Sequence, residues 1–168
     1  MQLDNPLWRY ALKVYSHPSV ERSCLAAQDL GLHVNTLLLC CWLATRDEYY
    51  QSEHYASVLT LWRDPVLSPL RRVRYQVRAM CQEYPELESC YQHLKQSELA
   101  AEQVDIALLW QLYLLQPSPV AVDSSAENAA KALAQKNIAN YLKAVEMDST
   151  ATAVACSNQL VDAVIEHN

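Results

Sequence analysis

The stretch Thr36-Leu37-Leu38-Leu39-Cys40-Cys41-Trp42-Leu43-Ala44-Thr45 contains no charged side chain, and its residues from Leu37 to Ala44 are all apolar. A helix that is apolar on every side is buried on every side. The stretch therefore predicts the central helix of the fold, over 36–45, with Asn35 as its N-cap. The run is far shorter than the ~20 residues that cross a bilayer, so we expect no membrane insertion.

The segments around this helix also carry helix signals. The chain has a single glycine, Gly31, whereas tight β-hairpins depend on glycine. Most of its prolines stand where amphipathic helices begin, as in Asn5-Pro6, Pro18 and Asp64-Pro65, and Gly31 is expected to end the second helix. We predict an all-α, single-domain bundle of about seven helices, packed irregularly or orthogonally around the helix over 36–45.

The motif Pro117-Ser118-Pro119 divides the chain. Before it, apolar residues of a long helix recur every seven positions, which is typical of a bundle seam; they are Leu87, Leu94, Ala101, Leu108 and Leu115. After it, two helices are predicted, capped by Asp123 and Ser149. We expect a helical core domain over 1–116 and a C-terminal helical pair over 117–168 that packs on the core.

Composition excludes several function classes. With one glycine there is no G-x-G-x-x-G, P-loop or G-x-S-x-G motif, so no nucleotide cofactor is expected. The net charge of −6, with one short basic segment between Arg63 and Arg78, argues against nucleic-acid binding. No basic stretch followed by an apolar region marks a secretion signal. The six cysteines contain no C-x-x-C pair, so we expect reduced thiols, no metal or other cofactor, and a cytoplasmic location.

Three carboxylates share one face of the long helix, because Glu98, Glu102 and Asp105 are four and three residues apart. Such a face is compatible with a Mg²⁺ site, as in helical enzymes that bind diphosphates. A di-iron site also needs Glu-x-x-His motifs, and the chain has none. Pairing of these acids with basic side chains of another helix is the simpler interpretation.

Arginines line one face of the preceding helix in the same way, since Arg71, Arg74 and Arg78 are three and four residues apart. We expect Arg71 and Arg74 to face Glu98 and Glu102 in an interhelical network. Gln28 and Asn35 are expected to lie close enough to hydrogen-bond into it. The alternative is that the same arginines bind an anion.

An aromatic cluster formed by Tyr49, Tyr50, Tyr55 and Trp62 is a candidate partner surface, because tyrosine and tryptophan are enriched at binding hot spots. The same residues also suit the edge of a core, where each ring keeps its polar tip near water. We favour the core interpretation.

Five short motifs occur in order along the first two thirds of the chain: Pro6-Leu7-Trp8-Arg9-Tyr10-Ala11-Leu12 through Tyr15, Cys24-Leu25-Ala26-Ala27-Gln28, Val34-Asn35-Thr36-Leu37-Leu38 with Trp42, Pro69-Leu70-Arg71-Arg72-Val73-Arg74 and Glu98-Leu99-Ala100-Ala101-Glu102. Over about 5–115, this series resembles an uncharacterised proteobacterial family of small helical proteins. The resemblance implies a cytoplasmic bacterial protein with no assigned activity, and it carries over no catalytic residue. His33 stands where the resemblance leads us to expect an aspartate.

We expect a non-enzymatic helical protein that binds a protein partner or associates with itself. The alternative is a helical enzyme, or a binder of a small anionic, isoprenoid-like ligand, that uses Arg71 and Arg74 with Glu98 and Glu102. A closed apolar cavity beside these residues would favour the ligand, and an open groove would favour the partner.

Overall fold

The structure, a computed structural model, describes residues 1–116 and 129–167. Over these residues the chain is all-α, as predicted, and contains no strand. These described ranges form eight α-helices where about seven were expected. The helices are α1 (Pro6–Tyr15), α2 (Pro18–Asp29), α3 (Val34–Ala44), α4 (Ser52–Tyr55), α5 (Ser68–Met80), α6 (Glu88–Leu114), α7 (Ala129–Ala144) and α8 (Ala151–Glu166), with a π-helical segment (Leu59–Leu67) and a 3₁₀ turn (Pro85–Leu87).

The apolar run lies at the centre of the fold, in α3. Every residue of this helix except Asn35 is buried, and the helix packs against α1, α2, α6, α7 and α8. The prediction of Asn35 as N-cap is wrong, because α3 begins at Val34 and His33 occupies the cap position. The Asn35 amide instead donates to two carboxylates of α6, and this interaction places it inside the first turn.

Local signals set the ends of the first two helices as predicted. The Asn5 side chain accepts a 2.9 Å hydrogen bond from the Trp8 backbone N–H, and Pro6 occupies the first turn of α1. Pro18 begins α2 in the same way. Gly31, with φ of +82°, follows the end of α2 in the left-handed region that favours glycine.

The segment after α4 differs from the prediction of a new helix at Asp64-Pro65. The chain runs through Pro65 in the π-helical segment and continues into α5. In an α-helix, proline removes one hydrogen bond and its ring clashes with the carbonyl four residues earlier. Here the chain instead forms the wider turns of a π-helix, in which the Ser68 N–H donates to the carbonyl of Arg63, five residues back. The turn also carries Arg63 into the interior.

The predicted seven-residue seam of α6 holds only in part: Ala101 is buried and Leu87, Leu94 and Leu108 are half-buried, but Leu115 lies past the end of the helix and is exposed. Leu115 is 78% exposed, and the buried side chains of α6 are confined to its second half; they are Ala101, Asp105, Ile106, Ala107 and Leu109. The first half of α6 pairs with α5 in a helical hairpin outside the core, and no residue between 68 and 100 is buried. We call this hairpin, residues 68–100, the arm.

Helices α7 and α8 complete the core. α7 packs on α3, and α8 packs on α2 and α7. Their buried residues, such as Ile138 and Leu160, join those of α3 in one apolar cluster. Thr150, rather than the predicted Ser149, precedes α8 as its cap residue. The predicted division at Pro117-Ser118-Pro119 and the Asp123 cap lie outside the described residues. Within the described ranges, no helix has the length and apolarity needed to cross a membrane.

Candidate functional site

An open groove of about 760 Å³ runs between α1, α2, α5 and α6. Its floor is apolar and belongs to the core, through Val34 and Leu38 of α3 and Ile106 of α6. Its walls carry large apolar side chains that are exposed to solvent; these are Leu12 (51% exposed), Leu25 (48%), Tyr75 (42%) and Leu99 (60%). The groove is therefore a continuation of the core that the helices leave uncovered.

Ion pairs between α5 and α6 form one wall of the groove. Arg71 pairs with Glu102, and Arg74 pairs with Glu98 through two hydrogen bonds. Arg71 also lies 3.5 Å from Glu98, measured from Nε to Oε1, so the pairs form a connected ladder. The structure thus brings together the four charged residues that the sequence predicts to face each other.

The ladder continues into the core through Asn35 and Asp105. The Asn35 amide donates to Glu102 and to Asp105, the latter at 2.9 Å. Asp105, which is 1% exposed, accepts two hydrogen bonds from Arg63, at 2.7 and 2.9 Å. This buried bidentate pair fixes the inner end of the network, because a buried charge needs a matched partner.

Sequence reasoning missed Arg63. The predicted helix start at Asp64-Pro65 separated it from the arginine face of α5. One signal could have found it: Arg63 lies four residues before the buried Leu67, so a helix that continued through Pro65 would place both on one inward face.

Burial and neighbouring groups shift the pKa values of three side chains in the network. Burial raises the pKa of Glu102, although Arg71 and Asn35 both lower it. For Arg63, burial lowers the pKa, but the hydrogen bonds and charge of Asp105 outweigh that effect and raise it overall. Burial likewise lowers the pKa of Arg74, and Glu98 together with Tyr75 raises it overall.

Each of the three acids on the groove side of the ladder and its inner end is bound by other protein groups. Arginine side chains hold Glu98, Glu102 and Asp105, and Asn35 also donates to the last two. In the described part of the chain, no group of three histidine, cysteine or acidic side chains is arranged to hold a metal ion. Arg71 and Arg74 are neutralised in turn, so a small anion would meet their glutamates as well.

Gln28 lies on the groove but binds a different partner from the one expected. Its side-chain amide donates to the Tyr75 hydroxyl at 3.0 Å and not to a carboxylate of the ladder. The Tyr75 ring in turn lies under the Arg74 guanidinium, 4.2 Å from its carbon. Gln28 thus connects α2 to the arm and supports the ladder from the side.

The aromatic candidates lie away from the groove, and two of them are core residues. Tyr50 and Tyr55 are about 5% exposed and stack on each other at 5.3 Å. Tyr49 keeps partial exposure beside Lys136, and the Trp62 indole N–H donates to the Ala101 carbonyl at 3.0 Å. The structure therefore does not assemble the four rings on one exposed surface.

Comparison with known proteins gives a family and no described activity. No curated protein and no solved structure matches the chain. A family model, described as a protein of unknown function (DUF2390), matches residues 6–109. The matched region includes every residue that lines the groove and stops before α7. By this match the chain belongs to the DUF2390 family.

Proposed function

We propose that this chain is a non-enzymatic module of the bacterial cytoplasm that binds a helical segment of a partner protein in the groove. The observation that carries the proposal is the exposure of Leu12, Leu25 and Leu99 around an apolar floor. Clustered apolar side chains on a protein surface mark interaction sites, since leaving them in water forgoes the free energy of burying them.

The dimensions of the groove suit a helix. Along α6 its lining extends from Gln92 to Ile106, which corresponds to ~21 Å at the helical rise per residue. An amphipathic helix of about three to four turns has this length and places its apolar face in such grooves through residues at i, i+3, i+4 and i+7.

The ligand alternative has less support. The groove is open to solvent, whereas small-molecule sites enclose most of the ligand surface. The two arginines proposed to hold an anion are also paired with Glu98 and Glu102. The cytoplasmic part of the proposal rests on the six unpaired thiols and on the resemblance to a proteobacterial family.

Site-specific photocrosslinking tests the proposal. A benzophenone amino acid is placed in living cells at Leu99 or, as a control, at Leu114, which has the same 60% exposure on the same helix but does not line the groove. We expect a defined protein adduct from position 99 alone. The captured protein, once purified, should bind the unmodified chain and lose at least about fivefold in affinity with Leu99→Gln, which corresponds to about 1 kcal/mol for an interface residue that contributes to binding.

Two outcomes would overturn the proposal. The first is equal crosslinking from both positions, or none from position 99. The second is an adduct made of two copies of this chain, which would replace the partner by self-association.

A further inference from the structure

The ladder between α5 and α6 has a third level at which both helices carry a cation, so the two side chains cannot pair with each other. Arg71 pairs with Glu102, and Arg74, one turn further along α5, pairs with Glu98, one turn earlier on α6. The two helices are therefore antiparallel, and each level of the ladder joins an arginine of α5 to a glutamate of α6.

Helix geometry places Arg78 and Lys95 at the next level. Arg78 follows Arg74 by four residues, and Lys95 precedes Glu98 by three, so both lie on the faces that carry the ladder. Both side chains line the groove. Here two cations stand where the preceding levels have an arginine and a carboxylate.

Neither cation is neutralised within the described part of the chain. Arg78 forms no ion pair there, and Lys95 lies 5.7 Å above the Tyr91 ring, which carries no charge. The groove is lined by four cationic and two anionic side chains, although the whole chain has a net charge of −6. This end of the groove is thus a local positive site on an acidic protein, and it attracts and orients a carboxylate.

We propose that an acidic side chain of the bound helix completes the third level of the ladder by binding between Arg78 and Lys95. The occupant is thereby defined as an acidic amphipathic helix. Its leucine-like face covers Leu99 and the groove floor, and its glutamate or aspartate residues face the tip of the arm. This inference rests on the proposed function and adds the charge of the partner to it.

The test uses three synthetic helical peptides of about 18 residues with identical leucines at i, i+3, i+4 and i+7 and with glutamate, glutamine or lysine beside them. Binding to the whole chain is followed by fluorescence anisotropy at two salt concentrations. We expect the glutamate peptide to bind about tenfold more tightly than the lysine peptide at low salt, with the difference reduced at high salt.

Two variants with the same charge change sharpen the test. Lys95→Glu supplies the missing acid internally, so it should abolish the preference for the glutamate peptide without lowering the melting temperature. Arg72→Glu is the matched control, since Arg72 is exposed on α5 and does not line the groove; it should keep the preference.

The outcomes separate the two proposals. If all three peptides bind equally and Leu99→Gln weakens each of them, the acidic partner is wrong and the groove remains a helix-binding site. If Lys95→Glu and Arg72→Glu have equal effects, the third level has no specific role and the inference is also wrong. If no peptide binds, both the inference and the proposed function fail.

Discussion

Helices α3 and α5 have similar lengths and opposite surroundings. All residues of α3 except Asn35 are buried, whereas α5 has no buried residue. α3 has no charged side chain, and α5 contains four arginines. We infer from this contrast that burial around α3 contributes most of the stability of the fold. The arm instead exposes apolar and charged side chains to solvent and to the groove.

The largest effect is expected where the ladder enters the core. Asp105→Ala leaves the Arg63 guanidinium buried without a partner and should cost about 3–5 kcal/mol of unfolding free energy. Urea unfolding followed by circular dichroism measures the loss. The control is Asp4→Ala, which breaks the same type of bidentate pair, with Arg9, on the exposed surface. Similar costs for the two variants would show that Arg63 reaches water.

The next prediction compares the loss of stability when a leucine of the core or a leucine of the arm is replaced by alanine. Leu39 is fully buried in α3, so Leu39→Ala should destabilise the fold by about 2–5 kcal/mol through lost burial and the cavity left behind. Leu99→Ala, at 60% exposure on the arm, should change stability by less than about 0.5 kcal/mol. The same unfolding experiment measures both, and equal losses would contradict the division into core and arm.

Much of the core is readable from local sequence. In a chain with one glycine and many proline-led helix starts, the apolar run identifies the central helix, because a helix that is apolar on every side must be buried on every side. The caps at Asn5 and Gly31 depend only on their neighbours. The spacing of the arginines and of the acids predicts two opposite faces. It does not predict that Arg74 pairs with Glu98 and Arg71 with Glu102, because that choice depends on the antiparallel register of α5 and α6.

The misinterpretations have a common origin in tertiary context. Pro65 indicates a helix break in isolation, but the π turn accommodates it and turns Arg63 inward. Along its first half, the seven-residue repeat of α6 faces a single partner helix, α5, so Leu94 is only half-buried and much of the arm remains exposed. The groove forms because α1 and α2 leave part of the surface of α5 and α6 uncovered. The spacing between these helices depends on the tertiary packing, and no local sequence pattern predicts it.

A pH-dependent effect is expected at the entry to α3. Burial, more than the nearby Arg63 and Arg71, lowers the pKa of His33 to about 4. The unfolded chain therefore takes up this proton first as the pH falls, and the stability from neutral His33 is lost between about pH 6.5 and 4, by up to about 3 kcal/mol. His33→Gln should flatten the pH dependence of unfolding in this window. Parallel curves for the two proteins would exclude His33 as the source.

The smallest expected effect is the coupling free energy between Arg74 and Glu98, the pair of the ladder that is furthest from the core. The Arg74 and Glu98 side chains are each 12% exposed, between a surface pair and the buried Arg63–Asp105 pair, so a double-mutant cycle with alanine at both positions should give a coupling of about 1–2 kcal/mol. The control cycle, Arg72 with Glu98, should give a coupling near zero. A coupling as large as the cost of Asp105→Ala would show that the arm is part of the core.

Hydrogen–deuterium exchange tests the central claim most directly, because it reports each helix separately in the intact chain. In the free protein, we predict that amides of α3 exchange only on global unfolding, while those of α5 and of residues 88–100 exchange much faster through local opening. The glutamate peptide should then slow exchange in α1, α5 and the first half of α6 and leave α7 and α8 unchanged. Uniform protection of α3 and the arm, or peptide-induced protection confined to α7 and α8, would contradict the account.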